Sequence, residues 1–168
     1  MISVQELSYE KQVLAQFGEL PNLRQFILTT VADVFLTRSA DADAELVGED
    51  IALAAHEVCA NIIDHAYGGE VEELISATLT VKLSERQIDV QLQDHGRGYD
   101  PQKLDWPPSE SWRLVENEPS PFFVLEQVPE PDIFQERGRG VYLLTLLLDS
   151  VTYHPQHDVN YWHLSKKF

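Results

Sequence analysis

Residues 55–69 read AHEVCANIIDHAYGG, and this stretch places an acid and an amide one helical turn apart. Glu57 and Asn61 are four residues apart, so both side chains point to the same side of a helix. The apolar residues that would cover the neighbouring face are Ile51, Ala55, Val58, Ile62 and Ala66. The glycine pair 68–69 is typical of a helix end. The pattern predicts an amphipathic helix over about 49–66, with a polar connection over 39–48 before it.

The pattern on either side of this helix predicts the rest of the fold. The expected elements are an opening strand at 11–17, a helix at 23–38, strands at 74–83 and 87–93, a helix at 141–149, and a closing strand pair at 151–154 and 159–164. This order predicts an α/β (α+β) two-layer sandwich, with a mixed, mostly antiparallel sheet and helices on one face. The length of 168 residues suits a single domain over 1–168.

Residues 101–137 break every periodic pattern, and we expect a long, partly mobile loop there. The segment holds seven of the nine prolines of the chain, and eight acidic residues lie between Leu104 and Glu136 against Arg113 alone. Its aromatic residues are Trp106, Trp112, Phe122 and Phe123. They either anchor the loop to the body of the domain, or form a partner-docking or self-covering surface.

The charge balance limits the classes of partner. The chain has 28 acidic and 12 basic residues, for a net charge of −16. Binding to nucleic acid through its phosphates is therefore not expected, and a basic protein partner is favoured. No run of about 18 apolar residues and no secretory leader is present, so we expect a cytoplasmic location without membrane contact. The single cysteine, Cys59, is expected to be buried and to pack in the core.

The Glu57–Asn61 pair suits phosphoryl transfer. The Asn61 amide oxygen is a hard, uncharged ligand for Mg²⁺, which takes few protein ligands and completes its shell with water and phosphate. Glu57, one turn earlier, can orient or deprotonate a hydroxyl that attacks a terminal phosphate. The alternative for such a pair in isolation is a solvated polar stripe on a helix.

Two glycine motifs follow. Asp94 ends a predicted strand, where its carboxylate can accept a hydrogen bond from an amino group such as adenine N6, and Gly96 and Gly98 permit close approach of a ligand. Later, residues 137–140 read RGRG just before a helix. Gly138 and Gly140 there predict backbone N–H groups that bind phosphate, supported by the cationic side chains of Arg137 and Arg139.

Together these motifs resemble the gyrase/histidine-kinase ATPase superfamily. Residues 57–67 resemble its N box, residues 94–100 its first glycine box and residues 136–140 its second. The pattern is most like the anti-sigma factor serine/threonine kinase family. The resemblance implies a Bergerat ATP-binding fold, in which residues 101–137 are the ATP lid, here longer and more acidic than the family pattern.

The resemblance also implies a role for each matched residue. Asn61 binds Mg²⁺, and Glu57 is the catalytic base. Asp94 recognises adenine, in a pocket shaped by Gly96 and Gly98. Gly138 and Gly140 of the second glycine box contact the phosphates. His65 lies where the family often has a polar residue near the nucleotide, and a packing or capping role is equally open.

The expected function is an ATP- and Mg²⁺-dependent serine/threonine protein kinase of the anti-sigma type. The resemblance implies two partners, a sigma factor held inactive and an anti-anti-sigma protein phosphorylated on serine, and a possible homodimer. Three alternatives stay open: an ATP-binding switch that sequesters a partner without transferring phosphate, a histidine-kinase catalytic domain, and a generic ATPase. The histidine-kinase alternative is disfavoured because no phosphoacceptor helix precedes the first predicted helix.

Overall fold

The computed structural model describes residues 6–38, 42–103, 107–116, 120–135 and 138–168. Within these ranges it contains seven strands and three helices longer than two turns. The strands are β1 (Glu6–Leu14), β2 (Leu74–Lys82), β3 (Gln87–Asp94), β4 (Trp112–Val115), β5 (Phe122–Leu125), β6 (Ser150–Pro155) and β7 (Asn160–Lys167). The helices are α1 (Leu20–Arg38), α2 (Ala42–Asn61) and α3 (Arg139–Leu147).

The strands form one sheet in the order β1-β2-β3-β7-β6-β5-β4, and every neighbouring pair is antiparallel. Strand β3 pairs with β7 along its whole length, and this register sets Asp94 opposite Asn160. Strands β6 and β7 set Tyr153 opposite Trp162. The motif that ends β3 therefore lies beside the closing strands of the chain.

The helices cover one face of this sheet. Alternate residues of the central strands are buried on that face, for example Ile75, Leu79 and Leu92. Helix α2 contacts α1, α3, β3 and β7, and Ile51, Ala55 and Val58 on it are completely buried. The predicted α+β two-layer architecture, with a mostly antiparallel sheet and helices on one face, is confirmed.

Helix α2 starts earlier than its sequence pattern indicated. It begins at Ala42, so the predicted polar connection over 39–48 is wrong for the described residues 42–48. Ala44 and Val47 are buried there. The packing of these two apolar side chains stabilises the helix through the stretch that the sequence pattern indicated as a polar connection. Residues 39–41 lie outside the described residues.

The end of α2 passes into a turn of π-helix, Ile62–Ala66. The Tyr67 N–H donates to Ile62 O at 3.1 Å, five residues back, and the Gly69 N–H donates to Ile63 O at 2.8 Å. Gly69 has a φ of 134°, which an L side chain rarely adopts. The wider turn shifts the helical register just after Asn61, as inserted turns of this kind do at many functional sites.

The expectation of a long loop over 101–137 is wrong in its middle part. Strands β4 and β5 form a hairpin, and β5 pairs with the outer edge of β6 through Phe123↔Tyr153 and Val124↔Thr152. The prolines flank these strands and leave their ladder N–H groups intact. Strand β5 forms because the outer edge of β6 is free to pair with it. A strand of four residues needs such a partner, and no local sequence pattern reveals the partner.

The hairpin is anchored to the body of the domain by its aromatic residues. Trp112 and Phe123 are buried, and Phe122 stacks on His154 at 4.5 Å between ring centroids. These three contacts favour the anchoring interpretation of the aromatics, while Trp106 lies outside the described residues. Cys59 is completely buried as expected, and burial raises the pKa of its thiol. Within the described ranges, no helix combines the length and apolarity needed to cross a membrane.

Candidate functional site

A cavity of about 420 Å³ lies where the end of α2, the loop after β3, the start of α3 and the β4–β5 hairpin meet. Asn61, Asp94 and Gly138, one residue from each sequence motif, all line it. Three segments far apart in the sequence therefore converge on one site. Its volume falls within the range of about 300–1,000 Å³ that is usual for small-molecule sites.

Asp94 is held by two hydrogen-bond donors at the base of this cavity. The residue is 1% exposed, and Oδ1 accepts from the Gly96 N–H at 2.9 Å and from Asn160 Nδ2 at 3.0 Å. The Asn160 amide also donates to Gly96 O at 3.0 Å. Asn160 thus fixes both the carboxylate and the backbone of the glycine turn.

The setting of Asp94 acts on its pKa in two directions. Burial raises the pKa of this carboxyl above its usual value, because removal of water disfavours the charged form. The hydrogen bonds from Asn160 and Gly96 act in the opposite direction, and burial outweighs them. Buried carboxyls with perturbed pKa values are concentrated at functional sites.

Both glycines of the first motif are required by close packing. A methyl group on Gly96 would lie 2.7 Å from Ala66 Cβ, and the neighbouring Arg97 N–H donates to Ala66 O at 2.8 Å. A methyl group on Gly98 would lie 2.9 Å from Asn160 Oδ1. The turn after β3 is therefore pressed against the π-helical end of α2, which brings the first two motifs into contact.

Gly140 brings the third motif against the first. A methyl group on Gly140 would lie 2.8 Å from Glu57 Oε2 and 3.8 Å from Asn61 Nδ2. The absence of a side chain at residue 140 lets the first turn of α3 lie against Glu57 and Asn61 in their present positions. Gly138, just before α3, has a φ of 82°, a conformation that also favours glycine.

Arg139 of the third motif is directed to backbone oxygens and not to the cavity. The Arg139 guanidinium donates to Ile133 O and Gln135 O, each at 2.7 Å, on the segment that precedes α3. It does not line the cavity, and its predicted role in phosphate binding stays a prediction. Arg137 lies outside the described residues, as does Glu136. Arg97, to which the sequence analysis gave no role, does line the cavity.

Four aromatic side chains form one wall of the cavity: Tyr99, Trp112, Tyr153 and Trp162. Tyr153 stacks on Tyr99 at 4.6 Å and lies 4.7 Å from Trp162, between ring centroids. Burial raises the pKa of Tyr153 to about 12, so its hydroxyl stays protonated at neutral pH. Local sequence patterns did not reveal Asn160, Tyr153 and Trp162 as site residues, because only the register of β3, β7 and β6 brings these side chains to Asp94.

The chemistry of the cavity fits an adenine nucleotide with its magnesium ion. A buried acceptor lies beside an aromatic wall, as a purine with an exocyclic amino group requires, and Arg97 adds a cation for phosphate. Among the described residues, no group of three or more His, Cys, Asp and Glu side chains could hold a metal ion. A magnesium ion here would depend on Asn61, water and the phosphates of the nucleotide. His65, which is exposed, also lines the cavity.

Comparison with known proteins gives an independent result. The sequence model described as a histidine kinase-like ATPase domain matches residues 18–161. The serine-protein kinase RsbW of Bacillus cereus (strain B4264) is 27% identical over 103 residues, which cover 61% of this chain and 54% of that protein. The RsbW proteins of Bacillus mycoides (strain KBAB4) and Bacillus anthracis (strain CDC 684 / NRRL 3495) are 25% and 26% identical over the same coverage. The match spans about half the length of these relatives.

Proposed function

The chain belongs to the histidine kinase-like ATPase family, and from this premise we propose that it is an ATP-dependent serine/threonine protein kinase of the anti-sigma type. One observation carries the proposal. Asn61, Asp94 and Gly138 line a single cavity. Glu57 does not line it, but its carboxylate lies against Gly140, two residues after Gly138. The relatives that are named serine-protein kinase support the choice of reaction within this ATPase family.

In the proposed reaction, Glu57 acts on the incoming hydroxyl. The hydroxyl oxygen forms a bond to the γ-phosphorus, the bond from that phosphorus to the bridging oxygen of ADP breaks, and the hydroxyl proton passes to the Glu57 carboxylate. Gly140 permits this carboxylate to lie against the first turn of α3, beside the phosphate-binding glycines. Positioning and electrostatic stabilisation provide most of the rate in such transfers.

Asn61 would hold Mg²⁺ through its amide oxygen. A bound Mg²⁺ neutralises charge on the β- and γ-phosphate oxygens. Asp94 would accept a hydrogen bond from the adenine amino group, with Asn160 and the Gly96 N–H fixing its other oxygen. The backbone of Gly138 and the Arg97 side chain would contact the phosphates. These assignments divide the cavity into an adenine end at Asp94 and a phosphate end at α3.

The proposed substrate is an anti-anti-sigma protein with a phosphorylatable serine, and the proposed second partner is a sigma factor held inactive in the cytoplasm. The resemblance of the three motifs to the anti-sigma kinase family supports this pairing, and the relatives named serine-protein kinase support serine as the acceptor. The net charge of −16 supports partners with a basic contact surface, because opposite charges accelerate encounter. Homodimer formation is part of the proposal, on the same family ground.

Transfer of labelled phosphate tests the proposal. The protein is incubated with γ-labelled ATP, Mg²⁺ and candidate anti-anti-sigma proteins, beside the variants Glu57→Gln and Asp94→Asn. We expect label on a serine with the wild type, binding of ATP without transfer for Glu57→Gln, and ATP binding weakened about 10- to 100-fold for Asp94→Asn. Binding without transfer by the wild type would instead assign an ATP-binding switch, and release of phosphate without a partner would assign a simple ATPase.

A further inference from the structure

Two large apolar side chains next to each other project into solvent just before α3. Ile133 is 79% exposed and Phe134 is 86% exposed. A single exposed apolar side chain is common and needs no explanation, whereas adjacent exposed groups on an ordered segment mark contact surfaces. We infer that residues 132–135, the 132–135 turn, form a docking site for the phosphoacceptor protein, which presents an apolar cleft bordered by lysine or arginine. This inference rests on the proposed kinase function.

The 132–135 turn is held in shape by its own hydrogen bonds. The Gln135 N–H donates to Asp132 O at 2.9 Å, which closes a β-turn, and the Phe134 N–H donates to Asp132 Oδ1 at 3.1 Å. The Arg139 guanidinium donates to Ile133 O and Gln135 O. Ile133 and Phe134 are therefore presented by a fixed backbone, and a partner that binds them pays little of the usual ordering cost.

The charges around the 132–135 turn define the chemistry of the partner. Residues 126–135 contain Glu126, Glu130 and Asp132 and no lysine or arginine. The exposed Arg139, whose guanidinium binds the backbone of the turn, offsets one of these negative charges. Glu126 is already paired with Arg113, while Glu130 and Asp132 are exposed. An apolar pair beside exposed carboxylates fits an apolar cleft with a basic border, and it repels an acidic protein. A second copy of this chain, which carries a net charge of −16, is therefore the less favoured occupant.

The position of the 132–135 turn favours the phosphoacceptor protein over other basic partners. Arg139 connects the turn to the first turn of α3, and α3 begins next to Gly138, which lines the cavity. A protein bound at the turn has part of its surface near the phosphate end of the cavity, where its hydroxyl must react. Residues that position a substrate in this way lower its KM.

The test compares the double variant Ile133→Ser/Phe134→Ser with Leu36→Ser in the label-transfer assay. Leu36 is 80% exposed on α1 and serves as the matched control, since the same apolar-to-serine change is made at equal exposure. The probe is the anti-anti-sigma protein that the wild type phosphorylates. We expect the double variant to raise the KM for this protein at least about tenfold, with kcat and the KM for ATP unchanged, and Leu36→Ser to leave all three unchanged.

Charge is tested separately with Glu130→Lys. The wild-type KM for the protein substrate should rise with salt, because salt screens the attraction between opposite charges. Glu130→Lys should raise this KM at low salt and reduce its dependence on salt.

Several outcomes would overturn the inference. An unchanged protein KM in the double variant, with normal wild-type transfer, removes the docking site and leaves the kinase proposal intact. A raised KM for ATP would show that the apolar pair closes over the cavity of its own chain, and a shift from dimer to monomer in sedimentation would show that it binds a second copy. Absence of transfer by the wild type with every candidate substrate would overturn the proposed function and this inference together.

Discussion

At Asp94, burial and two hydrogen-bond donors act on one carboxyl group in opposite directions. Asn160 Nδ2 and the Gly96 N–H both approach Oδ1, which orients the group. Burial nevertheless raises the pKa of the carboxyl, so the ionised form is costly in the folded protein. A residue kept in such a setting reduces stability, and this cost is expected where ligand binding depends on the group.

Asp94→Asn should separate these two effects. The amide oxygen of the new side chain can still accept from the Gly96 N–H and from Asn160. The charged acceptor proposed for the adenine amino group is lost, and ATP binding should therefore weaken about 10- to 100-fold. Because folding raises the pKa of Asp94 above its ordinary value of 3.8, wild-type stability should fall as the pH rises from that value through the raised one. The variant should lack this contribution.

Thermal melts between about pH 4 and 8 measure the difference in stability between the two proteins, and titration with ATP measures the affinity. The variant should gain stability relative to the wild type as the pH rises through this window. An equal pH dependence for both proteins would contradict a raised pKa at Asp94.

The same substitution at two glycines should give opposite results. Gly140→Ala places a methyl group 2.8 Å from the tip of the Glu57 side chain, which can move away. Because alanine favours a helix by about 1 kcal/mol over glycine, stability should not fall, while displacement of the carboxylate should lower kcat about 100-fold. Gly96→Ala meets Ala66 Cβ at 2.7 Å and its backbone at 2.9 Å, so it should cost about 1–3 kcal/mol of stability.

Phosphate transfer and chemical denaturation measure the two effects. Gly18→Ala is the control, since nothing lies within 4 Å of its added methyl group. Normal activity with normal stability in Gly140→Ala would contradict the packing of α3 against Glu57. A large loss of stability would contradict a Glu57 side chain that can move away from the new methyl group.

At the scale of elements, the β4–β5 hairpin changes what the segment between the two glycine motifs can do. The Glu126 N–H donates to Ser111 O at 2.8 Å, and Phe123 and Val124 pair with β6. Trp112 on this hairpin lines the cavity. One wall of the cavity is thus built into the sheet.

Hydrogen exchange should show the hairpin as part of the folded sheet. Amides of Phe122–Leu125 should exchange slowly with and without ATP, because this strand lies between β4 and β6 and pairs with both. Amides of the solvent-exposed 132–135 turn should exchange faster by at least about tenfold. Mass spectrometry of peptic fragments measures both. Equally fast exchange in the two segments would contradict the pairing of β5 with β6.

At the scale of the whole molecule, ligand binding should be coupled to the stability of the fold, since the cavity joins α2, the loop after β3, α3 and the hairpin. A ligand at about 100 times its dissociation constant adds about 2.7 kcal/mol to the free energy of unfolding. For a domain of this size, that corresponds to a rise in Tm of about 5–10 °C.

Thermal shift with Mg-ATP measures this coupling. Asp94→Asn at the same ATP concentration is the control, and its Tm should rise less. No shift of the wild type at millimolar Mg-ATP would count directly against a nucleotide site in this cavity.

The sequence by itself determined the helix that carries Glu57 and Asn61, the central strands and the order of the three motifs. It could do so because helical and strand periodicities, glycine turns and short polar motifs are local properties of the chain. The resemblance built on those motifs predicted the family that the comparison then identified.

Only the tertiary structure decided the contacts between segments. Asn160 reaches Asp94 through the register of β3 with β7, and the hairpin exists because β6 offers a free edge. The guanidinium of Arg139 lies on the backbone of the 132–135 turn, although its sequence position favoured a phosphate. The physical reason is the same in each case: pairing, burial and charge between distant segments depend on the whole fold, and no local pattern encodes them.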